Sequence, residues 1–328
     1  MNLVDCTEHL LRSEICVVPT ETVYGLACSA FSVAAVKKVF ELKGRPANNP
    51  LIVHVLNHDS ADEICKTNEL SVKLAKAFWP GALTLVLPKK KCIPLEVTSG
   101  RNSVAVRSPS HPLFRQIITR AKIPIAAPSA NLANKISPTN YQDVLDAFGD
   151  KCPPILDGGE CDFGIESTVL DLTTTIPQIL RFGPVTKQDI ENVLGFNIEF
   201  SSTGTSTEKD LSSGKKSPGQ GSKHYAPDTP LNLHSSIEKM FSSETIKAGD
   251  VVILPCPKTP HRSLSKKPII LYLSESGKTK DIAKSLYKIL RQADKLLVNK
   301  IHISLFPLED DLISAINDKL YRASTCQL

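Results

Sequence analysis

Short apolar runs alternate with helix-period stretches along the first two hundred residues. "ICVVP" (15–19), "LIVHVL" (51–56), "LTLVL" (83–87), "SVAVR" (103–107), "IPIAA" (123–127), "STVLDL" (167–172) and "QILRF" (178–182) are short and mostly aliphatic. Each reads as a strand. "SVAAVKKVFELK" (32–43) spaces apolar residues three and four apart behind Ser32, a residue type that caps helices, and reads as an amphipathic helix. "HPLFRQIITRA" (111–121) and "NYQDVLDAFGD" (140–150) read as further helices. The mixture predicts an α/β fold, a twisted mixed sheet with flanking helices, and leaves strand order open.

The pattern breaks at residues 201–229, where Ser, Thr, Gly, Lys and Pro replace the aliphatic residues. Such a stretch lacks the apolar surface to hold itself folded and reads as a flexible linker. Beyond it, "DVVILP" and "KPIILYLS" read as buried strands, and "DIAKSLYKILRQADK" and "EDDLISAINDKLYRAS" as helices. The expected organisation is therefore a first domain over 1–200, the linker, and a smaller α/β domain over 230–328.

Composition narrows the classes. With 328 residues, 41% of them hydrophobic, the chain can bury a large core and divides naturally into two domains. A net charge of +5 suits an anionic ligand but falls short of a dedicated nucleic-acid binder. No apolar run approaches the eighteen or so residues that span a bilayer, so no membrane segment is expected. The first residues, "MNLVDCTEHLLRSE", lack the basic and apolar regions of a secretory signal. Nine cysteines, an odd number without a CxxC pair, fit reduced thiols in a cytoplasm better than disulfides or zinc.

Candidate chemistry gathers at strand ends. In "ELKGRPANNPLIVHV" the helix runs into Gly44 and Pro46, and Lys43 and Arg45 project from the turn as an anion cradle, or else complement the helix dipole in solvent. Thr20, Glu21 and Thr22 follow the first strand, where α/β sheets bind ligands; alternatively Thr20 or Thr22 caps a helix. His54 within its strand is either a ligand contact or a satisfied core histidine. Arg107 ends a strand as a natural partner for a carboxylate, or lies in solvent. Ser129, Asn131 and Ser137 occupy a small-residue loop, Ser167 and Thr168 open a strand, and Arg181 closes one. Neither a GxxxxGK[ST] loop nor GxGxxG after a strand is present, which leaves the common NTPase and dinucleotide folds without support.

"PTETVYGL", "KGRPANNPLIVH", "SVAVRSP", "PSAN", "GIESTVLDL" and "ILRFG" stand in the order and spacing of the YrdC-like family. The later "SPGQGSKHYAP" and the small domain resemble its two-domain branch, the L-threonylcarbamoyladenylate synthases. The resemblance implies a YrdC-like sheet, a Rossmann-like C-terminal domain and a nucleotidyltransferase. L-Threonine, bicarbonate and ATP, with Mg2+ accompanying the ATP, would give threonylcarbamoyl-AMP and pyrophosphate. A separate transferase system would then modify the adenosine beside the tRNA anticodon. Lys43, Arg45, Asn49, Ser103, Ser129, Asn131, Ser137, Arg181 and Tyr225 would contact ATP, with Lys43 and Arg45 catalytic. Thr22, His54, Arg107 and Ser167 would hold L-threonine.

The linker departs from the family pattern at Gln220 and Gly221 but keeps His224, Tyr225 and Pro227. Its His-Tyr pair suggests a lid over the site, the alternative being an anchor for the second domain. A reading from another class is an RNA-binding module, with Lys215, Lys216 and Lys223 touching phosphates in a weak tRNA contact. Aromatics at 5% are scarce for base stacking. The related carbamoyltransferase of hydrogenase maturation carries zinc-finger cysteine pairs, which this sequence lacks.

Overall fold

Residues 1–200, 224–259, 267–308 and 310–324 are described by a computed structural model. The chain divides into two units, one of Met1–Ala133, Pro138–Asp162 and Glu166–Gly221, the other of Asn134–Ser137, Phe163–Ile165 and Ser222–Leu328. Residues 201–223, most of the expected linker, lie outside the described residues, as do Lys215, Lys216, Gln220, Gly221 and Lys223.

In the first unit the described strands are β1 (Cys16–Val18), β2 (Gly25–Ser29), β3 (Ile52–His54), β4 (Leu83–Pro88), β5 (Ser103–Arg107), β6 (Ile125–Ala126), β7 (Thr168–Asp171), β8 (Gln178–Arg181) and β9 (Glu199–Phe200). They form one sheet in the order β1-β2-β6-β3-β5-β4-β7-β8-β9. The β3–β5, β4–β7 and β8–β9 pairs are parallel and the others antiparallel, the mixed sheet that the pattern predicts. The flanking helices are α1 (Leu3–Leu11), α2 (Val33–Lys43), α3 (His58–Ile64), α4 (Glu69–Phe78), α5 (Leu95–Thr98), α6 (Pro112–Ala121), α7 (Tyr141–Phe148) and α8 (Lys187–Leu194). Ser32 caps α2 by accepting from the Ala35 amide, and the helix stops where Gly44 turns left-handed at φ 57°.

Alternation along the strands sorts their side chains to two faces. Val53, Leu83, Leu85, Leu87, Val104, Val106 and Leu170 join one large core that also takes in residues of α2, α4, α7 and α8. On the opposite face β3, β4, β5, β7 and β8 carry a small apolar cluster, Ile52, Val86, Ala105, Val169 and Leu180, while Cys16, Val18, Ala27 and Ile125 join a separate one with residues of α1 and α6. Ser103, Ala105 and Arg107 share that second face by the same period, as do Thr84 with Val86 and His54 with Ile52.

The second unit has β10 (Leu231–His234), β11 (Val251–Leu254), β12 (Ile269–Tyr272) and β13 (Ile301–Ser304), all parallel in the order β10-β13-β11-β12, with α9 (Ile237–Ser242), α10 (Thr279–Lys295) and α11 (Asp311–Ala323). "KPIILYLS" is not the buried strand expected of it. As β12 it lies at the sheet edge, with Ile269 exposed and the next three residues half-buried. Within this unit Ala226 bridges to Lys135, and Arg291 donates to the Ile136 carbonyl at 2.5 Å. Among the described residues no helix is long and apolar enough to cross a membrane.

Candidate functional site

The turn after β1 is locked by its own hydroxyls. Thr20 Oγ1 accepts the amides of Thr22 and Val23 at 3.0 and 3.1 Å and donates to the Val23 carbonyl at 2.7 Å. This is a side-chain-closed turn rather than the helix cap that the sequence also allowed. It presents Thr22 and Glu21 to Arg107 at the end of β5.

Arg107 is 3% exposed and does not lie in solvent. Its Nε donates to the Gly81 carbonyl at 3.0 Å and its Nη1 to Thr22 Oγ1 at 2.9 Å, while Nη2 lies 2.7 Å from Glu21 Oε1. Burial alone pushes the Glu21 carboxyl up. The charge and hydrogen bonding of Arg107 outweigh it, and the group is held below the ordinary carboxylate range.

From Arg107 a polar row crosses five neighbouring strands. His54 of β3 is in register with Arg107, and Thr84 of β4 follows it on the other side, because Leu85 pairs with Val106. Thr84 Oγ1 lies 2.8 Å from Ser167 Oγ, just ahead of β7. Arg181, closing β8, donates from Nε to the Ser167 carbonyl at 2.9 Å and from Nη2 to its hydroxyl at 3.0 Å. Gly183 makes this closure possible, since a Cβ there would fall 2.4 Å from the Thr168 amide nitrogen. His54 sits 3.3 Å from the Ile125 carbonyl through Nδ1 and packs on Phe114. Burial, then the Arg107 charge, brings its imidazole down to about 3, so it is neutral near pH 7.

The cations of the α2 turn behave differently from one another. Lys43 does not project from the turn. It is 2% exposed, and its Nζ donates to the carbonyls of Ser129 and Asn131, both at 2.5 Å. Burial, then repulsion from Arg45, pulls its amine well below an ordinary lysine. The helix runs through Lys43, whose side chain turns inward onto the 129–131 loop. Arg45, half-buried, braces its own loop through Nε to the Asn49 carbonyl at 2.9 Å and Nη2 to the Pro50 carbonyl at 2.8 Å. Asn49 is buried within that loop, and its Oδ1 has no hydrogen-bond partner among the described residues.

Thus Thr22, His54, Arg107, Ser167 and Arg181 line one connected row, and Lys43, Ser129 and Asn131 form a second cluster. Ser129 of the second pairs with Gly25, three residues beyond Thr22 of the first. Ser103 shares the sheet face of Arg107, four residues back along β5, about 13 Å at the usual strand rise. Ser137 and Tyr225 belong to the second unit; there Ser137 is buried and Tyr225 stacks on Tyr287, with ring centroids 5.7 Å apart. Sequence reasoning passed over Glu21 as a charge partner, and over Gly81 and Thr84. The acid in "PTET" was the available signal for Glu21; nothing local marks the other two. Among the described residues no group of three His, Cys, Asp or Glu side chains could hold a metal ion.

Residues 8–183 match the Sua5/YciO/YrdC family, whose description is telomere recombination, and residues 185–325 match the threonylcarbamoyl-AMP synthase C-terminal domain. A threonylcarbamoyl-AMP synthase of Pyrococcus abyssi is 37% identical over 319 residues, covering 93% of this chain and 89% of the relative. One from Bacillus subtilis is 35% identical over 319 residues, covering 96% and 90%. The crystal structure of Pyrococcus abyssi Sua5 complexed with L-threonine superposes with a TM-score of 0.85 at 34% identity, over 98% of this chain and 95% of that one.

Proposed function

The chain belongs to the Sua5/YciO/YrdC family, and on that premise we propose that it forms threonylcarbamoyl-AMP and pyrophosphate from L-threonine, bicarbonate and ATP. It is a nucleotidyltransferase. The observation that carries the reading is the buried row from His54 through Arg107 to Arg181, in a chain that aligns almost end to end with synthases of that name. The product would pass to a system that modifies an adenosine of tRNA, in the cytoplasm.

The chemistry asks for positioning and charge stabilisation rather than a protein nucleophile. Threonine's amine captures CO2 as a carbamate with loss of a proton, or bicarbonate with loss of water. A carbamate oxygen then attacks the α-phosphorus of ATP, and the bond to pyrophosphate breaks. Arg107, held at three nitrogens, is set to pair with the threonine carboxylate. His54, neutral, offers a hydrogen bond without a competing charge. Thr22 and Ser167 hydroxyls complete the amino-acid set.

On the nucleotide side, Lys43 sits desolvated against two carbonyls, and an arriving polyphosphate supplies the counter-charge that holds it protonated. Arg45, Asn49, Ser103, Ser129, Asn131 and Arg181 complete the ATP contacts proposed for the first unit. Ser137 and Tyr225, the other ATP contacts that the resemblance implies, belong to the second unit. Mg2+ enters as part of the substrate, on the phosphates. The test is pyrophosphate release with threonine and bicarbonate each omitted in turn. Release should require both, and release undiminished without either would overturn the reading.

A further inference from the structure

We infer that Cys6 and Cys16 are a built oxidation site, closing under a thiol–disulfide couple into a disulfide that ties α1 to β1. Their Sγ atoms lie 3.0 Å apart, and both residues are wholly buried. A disulfide holds its sulfurs about 2.05 Å apart, so closure asks for an approach of about 1 Å. The surrounding cluster holds the two elements in that relation: Leu10 of α1 and Val18 of β1 pack with Ala27, Phe114, Ile117 and Leu156. Nine cysteines in one chain otherwise look unorganised. Here the fold brings two of them into line across a ten-residue separation.

The same burial explains why the pair persists as thiols under reducing conditions. The hydrogen bond shared with Cys6, then burial, raises the Cys16 thiol well above its ordinary range, so the nucleophilic thiolate is scarce while the cluster is packed. Attack on an oxidant therefore waits for α1 to lift away. Such local opening is a general property of packed helices. The chemistry balances without a further reagent. One thiolate attacks glutathione disulfide and releases one glutathione thiol; the second protein thiol then attacks the mixed disulfide and releases another. Two protein S–H bonds are lost and one protein S–S bond is gained. The tie lies at the base of the strand that continues through Pro19 into the Thr20–Thr22 turn, so it braces the turn that presents Thr22 and Glu21 to Arg107.

The full chain would be incubated with glutathione disulfide or with dithiothreitol, then denatured and tagged with a maleimide. Oxidation should remove the tags on Cys6 and Cys16, give a linked peptide lighter by two hydrogens, and raise the melting temperature by about 5 °C. Cys6→Ser and Cys16→Ala should each lose both the linked peptide and the rise, whatever their own baseline stability. The inference is overturned if oxidised wild type still tags at both positions, or if either cysteine is found joined to another partner instead.

Discussion

Glu21 and Arg107 meet at 2.7 Å with 1% and 4% of their side chains exposed, although one follows β1 and the other ends β5. Two opposite charges so deep in a protein are each costly alone and tolerable only together. The pair therefore does two jobs. It fixes the guanidinium that faces the proposed amino-acid site, and it makes the fold dependent on a group with no direct part in the chemistry.

Removing one member should consequently cost more than removing both. Glu21→Ala leaves a buried cation without its counter-ion and should destabilise the first unit by about 3–5 kcal/mol. Urea denaturation of Glu21→Ala, Arg107→Ala and the double variant measures this. Purely additive losses would show that the two charges are not coupled.

Arg107→Ala should also separate the two substrates. Calorimetric titration is expected to show threonine binding weakened far more than ATP binding. Equal losses for both would remove Arg107 from the amino-acid site.

Lys43→Ala and Arg45→Ala should each abolish most adenylate formation. One preorganised charged contact is typically worth about 3 kcal/mol of transition-state stabilisation, a rate loss of roughly a hundredfold. The two variants should differ in stability, because Lys43 also ties the Ser129 and Asn131 carbonyls to α2, whereas Arg45 braces only its own loop. Near-normal pyrophosphate release in either variant would count against its role.

What could be read from the sequence depended on the range of the signal. β5 was plain because "SVAVR" is a short, mostly aliphatic run between polar residues, and α2 because Ser32 and Gly44 mark both ends. β2, "GLACS", is buried at every position and shows no alternation, so its pattern says nothing. β10 and β13, "LNLH" and "IHIS", are four residues each and become strands by pairing, β10 with β13 and β13 also with β11. The α4 start was marked, since Asn68 and Ser71 form a capping box, but no Glu or Gln stood at the usual third position. The site divides in the same way. Arg107 and Arg181 could be named from strand ends, whereas Glu21 and Thr84 gain their meaning from partners remote in sequence.

His54 gives the molecule an acid-side signature. Its folded pKa near 3 lies below the ordinary histidine value of 6.5, so between those limits the unfolded chain binds the proton more readily. Stability from this group is complete above about pH 6.5 and falls as the pH drops toward 3. The loss reaches about 2 kcal/mol by pH 5. His54→Gln should flatten that part of the stability curve by one proton, read from denaturation midpoints between pH 7 and 4. An unchanged slope would mean that the imidazole is not held neutral by its surroundings.

Tyr225 tests whether "HYAP" is an anchor or a lid. The expectation from composition was a lid, since a His-Tyr pair has no use in a spacer. In the second unit, however, the Tyr225 ring is wholly buried, stacks on Tyr287 and lies under Lys319 Nζ at 5.5 Å, while the neighbouring His224 amide donates to the Arg322 carbonyl. Tyr225 also adopts φ 62°, a left-handed conformation that costs a non-glycine residue about 1–3 kcal/mol unless its surroundings enforce it. Packing that outweighs this cost is an anchor. Tyr225→Ala should therefore lower the melting temperature, with a loss of about 3–5 kcal/mol for deleting a buried aromatic ring, less whatever strain is relieved. Hydrogen exchange at residues 224–227 should be slow already without ligands. If Tyr225→Ala melts like wild type but makes less product, and ATP with threonine newly protects this segment, the anchor reading fails and the segment closes over the site instead.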